Sequence, residues 1–479
     1  LNELSNVSST NSFQEDLIFF ALTLILSLSF FRSFAELISS LIIIFIIISI
    51  NFFFVYFFNF YFENYKQMVS FINYLLNVFM KKMKQNVEYE IEILKKIIPI
   101  NTNALEKINY KKCAEIIIEE AKKIGLKINV YDSMKLAGDN ISRPNIVASL
   151  DFGADKTLGL IAHYDIVPPG LGWKYDPFKA TILENKIFGR GASDNKGAIA
   201  IMLGVAKKLL EINEKSKVNI KLLISPEEEV GGELGIGYLM DNVKVRFDEA
   251  LIVDAGPDAI YVGASGVVSG QIRVKGLQGH AGYPHLAKNA INEIVKFLNK
   301  FLYFSELRSK KLSKLPAPPG SPYKNVWGRF SVTVLNAGEK TNVIPGEAIA
   351  KFDLRILPDE DLDKALNELR EFFEKTKKET GVDATLEDIK GGGNYYTNPD
   401  HRLVKDFQKA ASKAYGEKIP IAAELGGNDG KFISKYEIPV ICFGPIRKDC
   451  NFHGVNEFVY IEDLAKIRDA IINYCLGKF

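Results

Sequence analysis

A chain of 479 residues with 47% apolar and 25% charged side chains has an ordinary globular composition, with room for roughly two or three domains and a sizeable core. Its 60 basic and 58 acidic residues leave a net charge of only +2, and no dense Lys/Arg block is interleaved with aromatics, which excludes a nucleic-acid footprint. Cys113, Cys442, Cys450 and Cys475 show no C-x-x-C pairing, so neither a disulfide framework nor a structural zinc knot is indicated and a reducing, cytoplasmic setting is expected.

Residues 1–79 stand apart. They are rich in Phe, Ile, Leu, Asn and Ser and contain no Gly or Pro. Leu37 to Phe58 carries no charge and is long enough to cross a bilayer as a helix; Lys66, Lys81, Lys82 and Lys84 after it would place the rest on the cytoplasmic side. The run is too long and too late for a secretory signal. Two accounts of it compete. One is a membrane anchor; the other is a gene-start artefact, because the sequence begins with Leu and Met80 and Met83 stand just before the first globular helix.

From residue 80 the elements become regular. Apolar spacing predicts helices over Glu88–Ile98 and Tyr110–Ile124, the second closed by Gly125. Strands follow at Lys127–Tyr131 and Asn145–Leu150, then an apolar strand ends at His163 with Asp165 two residues on. Side chains two apart in extended chain point the same way. Asp165 is therefore placed to accept a hydrogen bond from one ring nitrogen of His163, leaving the other for a metal. A hairpin over Ala180–Phe188, the turn GRGASDNKG opening an amphipathic helix, the strand Asn219–Ser225 running into PEEEVGG, and the strand Ala250–Asp254 continue the chain.

This alternation predicts an α/β fold whose catalytic domain is a mainly parallel sheet covered by helices. From residue 268 the order changes to strand, helix, two strands, helix and strand, a split β-α-β pattern. It reads as a smaller α+β domain inserted over residues 268–383, with the Pro-rich Leu315–Tyr323 as a loop within it. Residues 80–267 and 384–479 then make up the larger domain, with a further buried strand at Pro439–Phe443.

Ligands of open α/β sheets gather at the carboxyl ends of the strands. His163, Asp194, Glu229, Asp254 and His453 all fall at strand ends or turns. Each alone has an ordinary explanation: Asp194 as a helix N-cap, the Glu227–Glu229 run as a solvated loop, Asp254 as a turn residue, His453 as a surface side chain. Together they supply imidazoles and carboxylates suited to zinc, cobalt or manganese. Five ligands exceed the need of one tetrahedral ion but suit two ions sharing a carboxylate, which can clamp a water and polarise a carbonyl.

AHYDIVP, GRGASDNKG, PEEEVGG, GLQGHAGYPHLAKNAI, NVIPGE and FHGVNE, in this order over about residues 85–479, resemble the successive motifs of metallopeptidase family 20. That family includes succinyl-diaminopimelate desuccinylase, acetylornithine deacetylase and glutamate carboxypeptidase. The resemblance implies two metal ions, His163 and Asp254 on one, Glu229 and His453 on the other, and Asp194 bridging them with a cis peptide bond after it. It implies Glu228 as general base. It also implies that His280 reaches from the inserted lid domain into a partner subunit's site to stabilise the oxyanion, hence a homodimer. Arg355, Asn342 and Gly427 are expected to meet the substrate, Arg355 through its carboxylate-matching fork.

Two departures from the pattern stand out. Asp254 takes a place where many members have Glu, and GGNDG lacks the hydroxyl residue that precedes this Asp in desuccinylases. The expected activity is hydrolysis of the amide bond of an N-acyl amino acid, with a dipeptidase or carboxypeptidase as the competing reading. From another class, the competitor is a membrane-tethered binding protein that has kept the fold without the chemistry.

Overall fold

The computed structural model describes residues 86–212 and 214–479, so residues 1–79, and both accounts of them, lie outside the described residues. Among the described residues no helix is long and apolar enough to cross a membrane.

The main sheet runs, in spatial order, through strands Lys127–Asp132, Pro144–Leu150, Asn219–Ser225, Thr157–His163, Glu249–Ile252, Val440–Cys442, Ile260–Ala264 and Tyr395–Tyr396, with Ile421–Glu424 also paired to Ile260–Ala264. Thr157–His163 is buried along nearly its whole length and lies parallel to a strand on each side. One face of the sheet, carrying Ile161, Leu223 and Ile252, packs against the helices Ile236–Asp241 and Gly430–Ser434. The other is covered by Lys196–Glu211, which is flanked by Glu88–Ile97 and Ile461–Leu476. Lys196 to Ala206 is buried throughout, so this helix is central rather than amphipathic. Tyr110–Ile124 ends at Gly125 with φ 94°, the left-handed geometry for which glycine is suited.

The sheet is mixed, not mainly parallel. Lys127–Asp132 and Pro144–Leu150 pair antiparallel, as do Pro144–Leu150 with Asn219–Ser225 and Tyr395–Tyr396 with Ile260–Ala264. Apolar runs report that both faces are buried and carry no information on strand direction. The link from Asp132 to Pro144, which face each other in the register, is too short for the crossover that a parallel neighbour needs.

A second sheet is wholly antiparallel, in the order Arg329–Ala337, Glu347–Ile356, Gly266–Lys275, Ala384–Gly392. It starts before the expected boundary at 268 and runs past that at 383, because Ala384–Gly392 completes it by pairing with Gly266–Lys275. Alternate residues, among them Val268, Ile272, Phe330, Phe352 and Leu354, bury against Phe297, Phe301, Leu369 and Phe373 of the helices Ala290–Phe301 and Leu362–Thr380. The opposite face, with Ser269, Arg329, Asp353 and Arg355, stays partly open. The Pro-rich stretch expected as a plain loop is the tip of a hairpin formed by Leu312–Pro316 and Asn325–Trp327.

Candidate metal centre

Three parallel strands deliver the site. Thr157–His163 ends in His163, Asn219–Ser225 leads within a few residues to Glu228 and Glu229, and Glu249–Ile252 leads to Asp254, so their side chains meet at one edge of the sheet. Nδ1 of His163 faces Asp165, 3.3 Å from Oδ1 and 3.1 Å from the carbonyl oxygen. Its Nε2 is turned to Asp194 Oδ1 at 3.2 Å and Asp254 Oδ2 at 3.7 Å. The Asp165 carboxylate also accepts the backbone N–H groups of Glu228 and Glu229, at 3.3 and 3.1 Å. One buried aspartate thus sets both the imidazole and the acidic turn.

Asp194 lies between two histidines. Its Oδ1 faces His163, while its Oδ2 is 3.1 Å from Nε2 of His453, which is itself 3.2 Å from Glu229 Oε2. The Asp194–Asn195 peptide bond is cis. His453 has φ 60°, an uncommon backbone for a non-glycine residue. His163, Asp194 and Asp254 form one group of converging donors, and Asp194, Glu229 and His453 another, each spanning no more than 4.8 Å. Metal–ligand bonds of about 2.0–2.2 Å in tetrahedral array put neighbouring donors roughly 3.4 Å apart. The observed separations straddle that value. Glu229 Oε1 is buried with no hydrogen-bond partner, an arrangement costly unless a cation meets it.

The electrostatics agree with this fit. Burial opposes charging His163, yet its hydrogen bonds to Asp165 and Asp194 and the charge of Asp254 hold its pKa well above the usual imidazole range. Hydrogen bonds to Asp194 and Glu229 push His453 up to about 10. Burial works against ionised Asp194 too, but the two histidines hold it below the usual carboxylate range. Glu228 is pushed well above its ordinary value by burial and by the charges of Asp429 and Asp254. Such a site binds protons avidly, and a metal would displace them.

A residue the sequence reading left unassigned, Glu457, ties the loops together. This fully buried carboxylate accepts Ser193 N, Ser193 Oγ and Asp194 N through Oε1, at 2.9 to 3.0 Å, and Gly191 N at 3.0 Å and Arg190 Nη1 at 2.6 Å through Oε2. Arg190 Nη2 in turn donates to Gly454 O at 2.8 Å. Asn195 completes the frame by donating to Asp254 Oδ1 at 2.7 Å and Val253 O at 2.9 Å. FHGVNE and GRGASDN hold these residues, but a carboxylate serving loop amides more than 260 positions away has no local signature.

The other expected residues fall into two further groups. Gly279–His280 pairs with Val343–Ile344, and Ala281 N donates to Asn342 O at 3.0 Å, which brings His280 and Asn342 together. His280 is exposed, its Nδ1 accepts a hydrogen bond from Gly282 N at 3.0 Å, and its ring lies 5.6 Å from that of Tyr283. Arg355 lies on the open face of the small sheet, donating to Asp353 Oδ1 at 2.8 Å. Gly427 borders Ser265, whose carbonyl oxygen would stand 3.3 Å from any side chain placed there.

Comparison with known proteins agrees with this geometry. The chain is 32% identical over 339 residues to a succinyl-diaminopimelate desuccinylase of Nautilia profundicola, covering 68% of this chain and 85% of that protein. It is 30% identical over 353 residues to an uncharacterized metallohydrolase of Methanocaldococcus jannaschii, covering 69% and 83%. An M20 family metallo-carboxypeptidase of Sulfolobus solfataricus shares the fold with a TM-score of 0.65 at 23% identity, over 81% of this chain and 98% of that one. Residues 159–475 match the model of peptidase family M20/M25/M40, and the chain belongs to that family.

Proposed function

We propose that the protein is a dinuclear metal-dependent amidohydrolase that removes the acyl group from an N-acyl amino acid, of the desuccinylase or deacetylase type. The observation that carries this is Asp194, whose two oxygens face His163 and His453 on opposite sides while Asp254 and Glu229 close each group. Zinc suits this nitrogen and oxygen donor set best, with cobalt or manganese as alternatives. Two such ions would polarise the scissile carbonyl and acidify a water between them.

The chain's own residues do the rest. Glu228 takes a proton from the attacking water and returns it to the leaving amine, and burial gives it the proton affinity for both transfers. Asp165 fixes the ring of His163. Arg355, Asn342 and Gly427 hold the substrate, and His280, exposed on its own chain, serves the oxyanion of a partner subunit. A homodimer through the inserted lid domain is supported by an edge strand, Arg329–Ala337, with Val334 and Leu335 40% and 51% exposed, and by Ile291 and Val295, 38% and 55% exposed on the helix Ala290–Phe301. Four free, buried cysteines suit the cytoplasm.

A dipeptidase or carboxypeptidase reading is favoured by the departure at GGNDG and by the fold shared with the carboxypeptidase. A panel of N-succinyl and N-acetyl amino acids and dipeptides separates the two. Turnover of the acylated amino acids but not the dipeptides is expected; the reverse would replace the first reading by the second. Asp194→Ala should lose metal from both groups and all turnover. Full metal retention in that variant would rule out the bridge.

A further inference from the structure

We propose that Arg329 and Arg355 form a paired-guanidinium subsite for a carboxylate of the substrate, with Arg329 selecting free acids over their amides. This rests on the amidohydrolase reading and on the place of Arg355 in it, and adds Arg329. The two arginines are direct partners in the antiparallel pairing of Arg329–Ala337 with Glu347–Ile356. Their side chains therefore share the open face of the small sheet, with Cβ atoms about 4.5–5.5 Å apart.

Arg329 is firmly held. Its Nε donates to Trp327 O at 3.2 Å, Nη1 to Leu425 O at 3.0 Å and Nη2 to Ser265 Oγ at 2.7 Å, and the Trp327 ring centre lies 5.4 Å from its Cζ. All three acceptors are neutral, and among the described residues no carboxylate pairs with Arg329. Of the guanidinium's five N–H groups about two remain for a ligand. Asp353, on the same face, engages Arg355 at 2.8 Å and so balances one of the two charges. The other is in excess by one, the charge of a single carboxylate. Burial and the facing Arg355 push Arg329 down to about 10, as expected of a cation held without its counter-ion.

The pair lies beside Gly427, which the proposed function sets against the substrate: Arg355 is paired with Val267, whose Cγ2 would meet a Cβ at Gly427. Leu425 and Ser265, which hold Arg329, flank Gly427, and Ser265 Oγ and N both donate to Glu424 O at 3.2 Å. A side chain at Gly427 would press on Ser265 O and Val267 Cγ2, both 3.3 Å from its Cβ. A guanidinium held in place before the ligand arrives binds a carboxylate with little further ordering cost.

The test is ligand-observed NMR titration of the full chain with N-acetyl-L-phenylalanine and its carboxamide. Wild type should bind the acid at least about 10-fold more tightly than the amide, as a charged hydrogen bond implies. Arg329→Gln should weaken acid binding about 10-fold and leave amide binding unchanged, while Arg329→Lys keeps part of the preference. An unchanged acid-to-amide ratio in Arg329→Gln, equal weakening of both ligands, no preference in wild type, or no binding of either would each overturn the subsite. An intact preference, lost in Arg329→Gln, without hydrolysis of any N-acyl amino acid would support the subsite and sink the amidohydrolase reading instead.

Discussion

Replacing Glu228 by Gln keeps the side chain's size and removes the oxygen that accepts a proton. The kcat of Glu228→Gln is expected to fall roughly 10²- to 10⁴-fold with metal content unchanged, as measured by turnover and elemental analysis; near-normal turnover would take the base role from it. Glu457 gives a contrasting expectation. Five hydrogen bonds converge on its buried carboxylate, one of them from Arg190. Removing one partner of such a pair costs about 3–5 kcal/mol, so Glu457→Ala should unfold at clearly lower temperature and retain less metal. A melting temperature and metal content equal to wild type would show that the loops hold without it. His163 and Asp165 were legible because an apolar strand ending in a histidine, with an aspartate two residues on, is a local pattern, whereas Asp194 and Glu229 each had an ordinary reading alone and were legible only through the joint order of the motifs. Glu457 and Arg329 were not, since one acts across the whole chain and the other depends on strand register.

At the scale of elements, the strand Ile421–Glu424 and the turn after it place Glu424 beside Asn428, whose Nδ2 donates to it at 2.7 Å. Burial pushes Glu424 up to about 7 from 4.5, with the hydrogen bond opposing. A folded-state pKa above the unfolded one means that the native state binds the extra proton, so this contribution is complete below pH 4.5 and is lost as pH rises through 7. Glu424→Gln should therefore raise the unfolding temperature more at pH 8 than at pH 4.5. An equal shift at both, read by calorimetry, would contradict it. The elements themselves were largely readable, and the small sheet's strand–helix order emerged from alternation alone. Strand direction in the main sheet did not, because a buried strand has the same composition in either sense.

For the whole molecule, the proposed homodimer would have His280 act in trans. Two inactive variants, Glu228→Gln and His280→Ala, should regain about a quarter of wild-type activity when refolded together, since half of random pairs hold one intact site of two. No recovery, with mixed dimers present by native mass spectrometry, would place His280 in its own chain's site. Ile291→Lys with Val295→Glu should yield monomers in sedimentation, because both are exposed apolar residues of the helix Ala290–Phe301 that packs on the small sheet. The central claim, two metal ions bridged by Asp194, is tested most directly by stripping the protein with chelator and titrating zinc while counting bound metal and turnover. Turnover should rise to a plateau at about two ions per chain, with protons released as the histidines give way to metal; full turnover at one ion per chain, or without any, would contradict it.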